Sequence, residues 1–377
     1  MVISRNAGEW AELYTLLKSL SDGKLFSADG DLNLIAGRYY PIIQIDMQQK
    51  NTKEPISYIV DTETKSISVE LRGEKPEQIS MNRFKEEAES FFKIISSRGK
   101  AAFEVPEISS FLEKLKTPET KQSSDKKADI HMVIHDVMTG IESNVGFSIK
   151  SKHSKPSTLI NASGQTLFQY EVKHASKPVN KEEIKELLAV NPDPKEGPKA
   201  RIRKLEENGY HLAFKKVKSE KFRENLQIID SQLDHILGSC LHYIMLSSKS
   251  MLTDVLPLLA AKNPCQYNAS SDARLLSFYE YKMKRLITDA ALGMTPSKPW
   301  DGEYDASGGY LVVKDTGDIA CYHLYNWNTL QDYLYKHLRF ETPPSTGKNS
   351  KASFNYALYY EVENIPYVDI CLQIRFK

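Results

Sequence analysis

Residues 130–135, Ile130-His-Met-Val-Ile-His135, alternate inward and outward as a strand does. Asp136-Val-Met-Thr-Gly140 is turn-rich, and Gly146-Phe-Ser-Ile-Lys-Ser-Lys152 returns, so the pattern predicts a β-hairpin. With its turn centred near Gly140, antiparallel pairing sets Asp129 roughly opposite Lys150. Side chains alternate every two residues along a strand, which puts Asp129, Ser148 and Lys150 on one face.

The remaining pattern divides the chain. Asn6 can cap a first helix whose apolar stripe is Trp10, Leu13, Tyr14, Leu17 and Leu20, with Gly23 as its stop. Strands are predicted over 39–46, 56–60 and 66–71, then helices over 81–96 and from Pro106 to about Leu115. Residues 117–127 read as a polar linker, and Leu167–Val172 as a further strand of the hairpin's sheet. Lys181–Val190 is helical, and Asn191-Pro-Asp-Pro-Lys-Glu-Gly-Pro198 is the clearest break. Beyond it, helices are predicted at 200–208, at 220–247 as one long amphipathic element, and at 274–292. A hairpin turns around Asp315-Thr-Gly-Asp318, Asn328 caps a helix to about His337, and 356–363 with 367–376 form a last strand pair. No internal repeat is visible.

Composition narrows the class. A chain of 377 residues with 41% hydrophobic and 26% charged residues is an ordinary folded protein with ample core. Its net charge of +1 is not the global signature of a nucleic-acid binder. Charge is uneven, however: Lys195 to Glu224 holds ten Lys or Arg against five Asp or Glu. Such a patch suits gripping a backbone in one cleft, and is also what a solvated helix face looks like. The four cysteines form no CxxC, which argues against zinc and a disulfide framework and fits a reducing cytoplasm. No signal-peptide core and no run of about 18 apolar residues is present, so no membrane is expected. His131 and His135 are too far apart on a strand, about 13 Å at roughly 3.3 Å per residue, to share a metal.

A carboxylate and a lysine fixed on adjacent strands suit phosphodiester hydrolysis, where a metal activates water and charge develops on phosphorus. An exposed hairpin can also pair Asp with Lys for no reason beyond stability. Three blocks favour the first reading: Gly8-Glu-Trp-Ala-Glu-Leu-Tyr14, the region Asp125–Ile130 to Thr158–Ser163, and a tail with Gly309–Lys314, Tyr322-His, Tyr333-Leu, Thr342-Pro and Leu372–Phe376. With them, Asp129 and Lys150 resemble the PD-(D/E)xK nucleases, and specifically the HpaII family of type II restriction endonucleases. The central block is the most specific, and most intervening sequence carries no likeness.

In that fold an acidic residue two before the lysine usually helps to hold Mg²⁺, whereas this chain has Ser148 there. Some members recruit the missing acid from elsewhere, including the first helix. Glu9 is the leading candidate and Glu12 the second, although Asn6-x-x-Glu9 equally forms a capping-box pattern. The resemblance implies that Asp129 and such a glutamate bind Mg²⁺ and that Lys150 orients the attacking water. Lys152, Lys155, Ser157, Thr158 and Asn161 follow the catalytic strand and suit phosphate or base contacts. Arg201, Arg203 and Lys204 in the basic segment are further candidates, as are Lys348 and Lys351. The resemblance suggests CCGG as target; His153-Ser154-Lys155 departs from the Leu-Gly-Ser-like stretch expected there, which leaves the exact site open.

The expected architecture is α/β. A restriction-endonuclease-like central mixed sheet is flanked by helices, with a strand-rich N-terminal insertion and an α+β C-terminal part. Residues 1–190 would form the catalytic core, with the insertion at about 36–116, and 191–377 a helical and hairpin part for DNA recognition or dimerisation. The expected activity is site-specific cleavage of double-stranded DNA in a prokaryotic cytoplasm. A two-fold dimer would be the simplest way to cut both strands of a symmetric site. Two alternatives stand beside it: a same-fold nuclease of DNA repair, and a DNA-binding protein whose metal site has decayed.

Overall fold

The computed structural model describes residues 4–48, 55–98, 102–116, 127–137, 139–153, 156–189, 197–343 and 356–377. The polar linker at 117–126, most of the Pro-rich break, Lys155, Lys348 and Lys351 lie outside them. The chain divides into two units. The first comprises Met1–Ser157, Ala291–Gly293 and Tyr304–Tyr333, and the second Thr158–Ala290, Met294–Glu303 and Leu334–Lys377.

The first unit is built on a mixed nine-stranded sheet. Its order is Lys24–Ala28, Ile319–His323, Gly309–Val313, Glu142–Ser151, Ile130–His135, Leu34–Gln48, Pro55–Asp61, Ser66–Glu70 and Glu77–Ser80. Gly309–Val313 runs parallel to Glu142–Ser151, and Ile319–His323 parallel to Lys24–Ala28. Lys24–Ala28 also pairs with the start of the long Leu34–Gln48 strand, so the first six strands close into a ring of pairings. The predicted strands at 39–46, 56–60 and 66–71 thus belong to the same sheet as the hairpin of residues 130–151.

The helix Ala7–Asp22 forms because Asn6 caps it, with its side chain accepting from the Gly8 and Glu9 N–H groups. It ends where Gly23 takes a left-handed φ of 63°. Leu16, Leu17 and Leu20 are completely buried in a core shared with Ile45, Tyr58, Phe84 and Met132. Each such side chain contributes about 1.5–3 kcal/mol by leaving water. Trp10 packs edge-on against Phe91 at 5.6 Å and donates Nε1–H to Phe103 O at 3.1 Å, which locks the start of the helix.

The second unit contains an antiparallel four-stranded sheet ordered Tyr210–Val217, Leu167–His174, Ile365–Cys371, Tyr359–Val362. The helices Pro198–Glu207, Glu220–Ile229 and Leu233–Leu246 pack on it. A separate three-stranded sheet joins Thr158–Ile160, Ile374–Phe376 and Leu338–Phe340.

The expected α/β class and mixed central sheet are present. Two expectations fail. Leu167–His174 does not extend the hairpin's sheet but lies in the four-stranded one, because its apolar Phe168, Tyr170 and Val172 pack under helices of the second unit. The long helix over 220–247 is broken at Asp230, which adopts an extended backbone at φ −165° and ψ 133°. Among the described residues no helix is long and apolar enough to cross a membrane.

Candidate active site

Asp129 immediately precedes the Ile130–His135 strand, and its N–H donates to Phe147 O at 2.7 Å. The register pairs Ile130 with Phe147 and His135 with Glu142, which places Asp129 across from Ser148. The expected opposition of Asp129 and Lys150 is therefore off by two residues, because the turn is tighter than one centred at Gly140: Asp136 N–H already donates to Ile141 O at 2.9 Å. The three side chains converge all the same. Asp129 Oδ2 accepts from Ile149 N–H at 2.6 Å and from Ser148 Oγ–H at 3.1 Å. Lys150 Nζ in turn donates to Ser148 Oγ at 2.8 Å and to Ile149 O at 3.1 Å. Ser148, buried to 2% exposure, is thus a hydrogen-bond bridge between the carboxylate and the ammonium.

The neighbouring parallel strand completes the setting. Tyr310 is in register with Ser148, and its ring centroid lies 5.1 Å from Lys150 Nζ, a cation–π contact. Burial, followed by the neighbouring Tyr333 and the Asp129 charge, pushes the Tyr310 hydroxyl far above its ordinary range, so it stays neutral. Lys127 was not anticipated. It is half-buried near the site, and burial together with the Lys150 charge pushes its ammonium down to about 8. The signal was available: Lys127 is two residues before Asp129, on the same side by strand periodicity.

The two candidate glutamates differ. Glu9 Oε2 accepts from Asn6 N–H at 2.8 Å, closing the capping box. Glu12, one turn further along the helix, senses Asp129 electrostatically: burial first, then the Asp129 charge, pushes its carboxyl up to about 8. Lys150 and Arg5 pull it down, but not enough to offset these. Two carboxyl groups in a half-buried place with too little positive charge between them have the chemistry of a cation site. Among the described residues no three His, Cys, Asp or Glu side chains converge. Mg²⁺ does not require that, since it keeps several waters and binds through one or two carboxylates. Asp129 and Glu12 therefore fit a divalent cation, with hard oxygen donors of the right number.

The expected DNA-contacting residues scatter. Lys152 is exposed just past Lys150, with its N–H on Val313 O at 3.1 Å. Ser157 is half-buried in the first unit. In the second unit Asn161 is exposed and Thr158 pairs with Arg375. Arg203 is exposed and Lys204 half-buried on the helix Pro198–Glu207. Arg201 is 1% exposed; its Nε–H donates to Ala357 O at 2.9 Å and its Nη2 to Tyr356 O at 3.3 Å, so it serves the interior.

A family model described as HpaII restriction endonuclease matches residues 6–376. The chain is 38% identical over 374 residues to the type II restriction enzyme HpaII of Haemophilus parainfluenzae, covering 99% of this chain and 98% of that protein. No solved structure matches it.

Proposed function

The chain belongs to the HpaII restriction endonuclease family and is a type II restriction endonuclease, and from that premise we propose that it cleaves duplex DNA at CCGG with Mg²⁺, leaving 5′-phosphate and 3′-hydroxyl ends. The observation that carries this reading is the chain Lys150–Ser148–Asp129 with Glu12 beside it. Asp129 and Glu12 are the residues that would hold the cation. When bound, Mg²⁺ would lower the pKa of a water and screen the charge of the phosphate. Asp129 is held for this by the Ile149 N–H, which orients its carboxylate from the strand itself. Lys150 is immobilised by Ser148 Oγ, Ile149 O and the Tyr310 ring, so its positive charge is pre-positioned where negative charge grows on phosphorus. Ser148 couples the two: it donates to Asp129 and accepts from Lys150, which holds both side chains in register. Acting on a symmetric site, two copies related by a two-fold axis would each cut one strand.

The test is digestion of a plasmid of known sequence in Mg²⁺ by the wild type, Asp129→Ala and Lys150→Ala, with sequencing of the fragment ends. Discrete bands ending at CCGG, reduced by several orders of magnitude in both variants, are expected. A wild type that binds DNA but leaves it intact in both Mg²⁺ and Mn²⁺ would instead mark a DNA-binding protein with a decayed site.

A further inference from the structure

The basic segment from Lys195 to Glu224 takes no part in the candidate active site. Its second half forms Tyr210–Val217, an edge strand of the four-stranded sheet, paired with the interior strand Leu167–His174. Register and alternation divide the side chains of that sheet between two faces. Phe168, Tyr170, Val172, Val368 and Ile370 go to the face covered by helices, none more than 1% exposed. Gln169, Glu171 and Lys173 turn to the other face. Lys216 and Asp369 flank Gln169 in register there, and Ala213 and Tyr367 flank Glu171. Lys215, which the register skips at a bulge, reaches the same face, because its ammonium lies on Glu171.

The charges on this face do not balance. Lys215 Nζ lies 2.7 Å from Glu171 Oε2, and Lys173 Nζ lies 3.8 Å from Glu171 Oε1. Lys218 Nζ donates to Asp369 Oδ2 at 2.7 Å, and Asp369 Oδ1 accepts from Tyr360 Oη at 2.6 Å. Lys216 is exposed and makes no ion pair among the described residues. Lys173, Lys215, Lys216 and Lys218 thus share only Glu171 and Asp369. The Lys173 and Lys215 side chains keep 46% and 44% of their surface, and exposed pairs of this kind are weak, so another anion can take either lysine from Glu171. Lysine on an edge strand guards against strand-to-strand association. That explanation stops at Tyr210–Val217, whereas Lys173 stands on an interior strand. A second copy is a poor occupant, because a two-fold contact would set a lysine-rich face on itself.

We infer that this open face of the four-stranded sheet, through Lys173, Lys215 and Lys216, holds the phosphate backbone of duplex DNA as a sequence-independent contact. The chain's net charge is only +1, so the positive excess is a property of this face and not of the whole surface. Ammonium groups on flexible stems suit phosphates as point charges, and lack the planar fork that reads a base edge in two places. Contacts of this kind fix the position of a protein on its duplex and leave sequence reading to other residues. The inference rests on duplex DNA as the substrate and not on CCGG as its site.

The experiment measures binding of the full chain in EDTA, by fluorescence anisotropy across a range of NaCl, to a duplex containing CCGG and to one with the site shuffled. Wild type, Lys216→Gln, the double variant Lys173→Gln with Lys216→Gln, and the corresponding double arginine variant are compared. Each phosphate contact adds about 0.9 to the slope of log affinity against log salt. Per protomer, the slope is expected to fall by about 0.9 in Lys216→Gln and by about 1.8 in the double glutamine variant. The fall should be equal on both duplexes and absent from the arginine variant. A misfolded fraction lowers apparent affinity without changing the slope. Lys85→Gln, an exposed lysine on the helix Met81–Ser97, controls for net charge and should keep the wild-type slope. A double glutamine variant with the wild-type slope overturns the inference. So does a fall matched by Lys85→Gln, or one confined to the CCGG duplex, which would make the lysines base readers. Equal wild-type affinity for the two duplexes would overturn the CCGG reading alone, with the slopes still deciding the inference; a wild type that binds neither duplex removes both.

Discussion

At the scale of single residues, Ser148 and Glu12 answer one question between them. Ser148 stands where a second carboxylate would be expected, and its hydroxyl is spent on Asp129 and Lys150. In the proposed site the missing charge would come from Glu12 on the first helix, whose carboxyl is raised to about 8 by burial and by Asp129 and would ionise on taking up the cation. Glu9, the stronger candidate from sequence, is engaged with the Asn6 N–H. The two substitutions should separate cleanly. Glu12→Gln is expected to abolish Mg²⁺-dependent cleavage, by 10²-fold or more, with folding intact. Glu9→Gln keeps an oxygen acceptor for the Asn6 N–H and should keep most activity and most stability. Cleavage rates and urea midpoints of both variants decide it; the opposite pairing of effects would return the ligand role to Glu9.

At the scale of elements, the setting of the candidate strand Glu142–Ser151 depends on how the next strand enters. Gly309 begins the strand that brings Tyr310 into register with Ser148, and it does so at φ +106°. A Cβ there would meet Tyr322 O at 2.0 Å, so no side chain fits without moving backbone. Gly309→Ala is expected to cost roughly 1–3 kcal/mol or more and to shift Tyr310 from beneath Lys150. Denaturant midpoint and cleavage rate should fall together, and a variant normal in both would show the strand entry to be uncritical. The hairpin was legible because its alternation is local, and so was the first helix with Asn6 and Gly23 at its ends. What was not legible is non-local. The polar break at Asp230 lies inside a helical pattern, and Pro257 sits within the helix Leu252–Lys262 that packing sustains. Which sheet Leu167–His174 joins depends on partners more than 190 residues away, such as Asp369 opposite Gln169. Arg201 likewise read as a surface cation, because nothing nearby announces that the carbonyls of Tyr356 and Ala357 take its guanidinium.

At the scale of the whole molecule, a net charge of +1 makes overall electrostatics a weak lever on stability near neutrality, so individual buried groups dominate the pH response. His323 is the clearest of them. It is 3% exposed, its Nδ1 accepts from Tyr325 N–H at 3.1 Å, and its Nε2 has no hydrogen-bond partner among the described residues. The proton of the neutral ring therefore sits on Nε2. Tyr40 and Tyr325 pack on it at 4.9 and 4.4 Å. Burial pushes its pKa down to about 4, against an upward pull from Asp136. An unfolded histidine titrates near 6.5. Between these values His323 binds more protons in the unfolded chain than in the folded one, so its own contribution to stability rises with pH there. The contribution is complete above about pH 6.5 and drains away as pH falls towards 4, amounting to about 2 kcal/mol between pH 7 and pH 5. His323→Asn keeps an acceptor for the Tyr325 N–H and removes the titration. Glu12, raised to about 8, adds an opposite slope that is common to both proteins, so the change of urea midpoint from pH 5 to pH 7.5 should be less positive for His323→Asn than for the wild type, whatever its absolute stability. Parallel slopes would mean that the acid sensitivity of the fold is carried elsewhere.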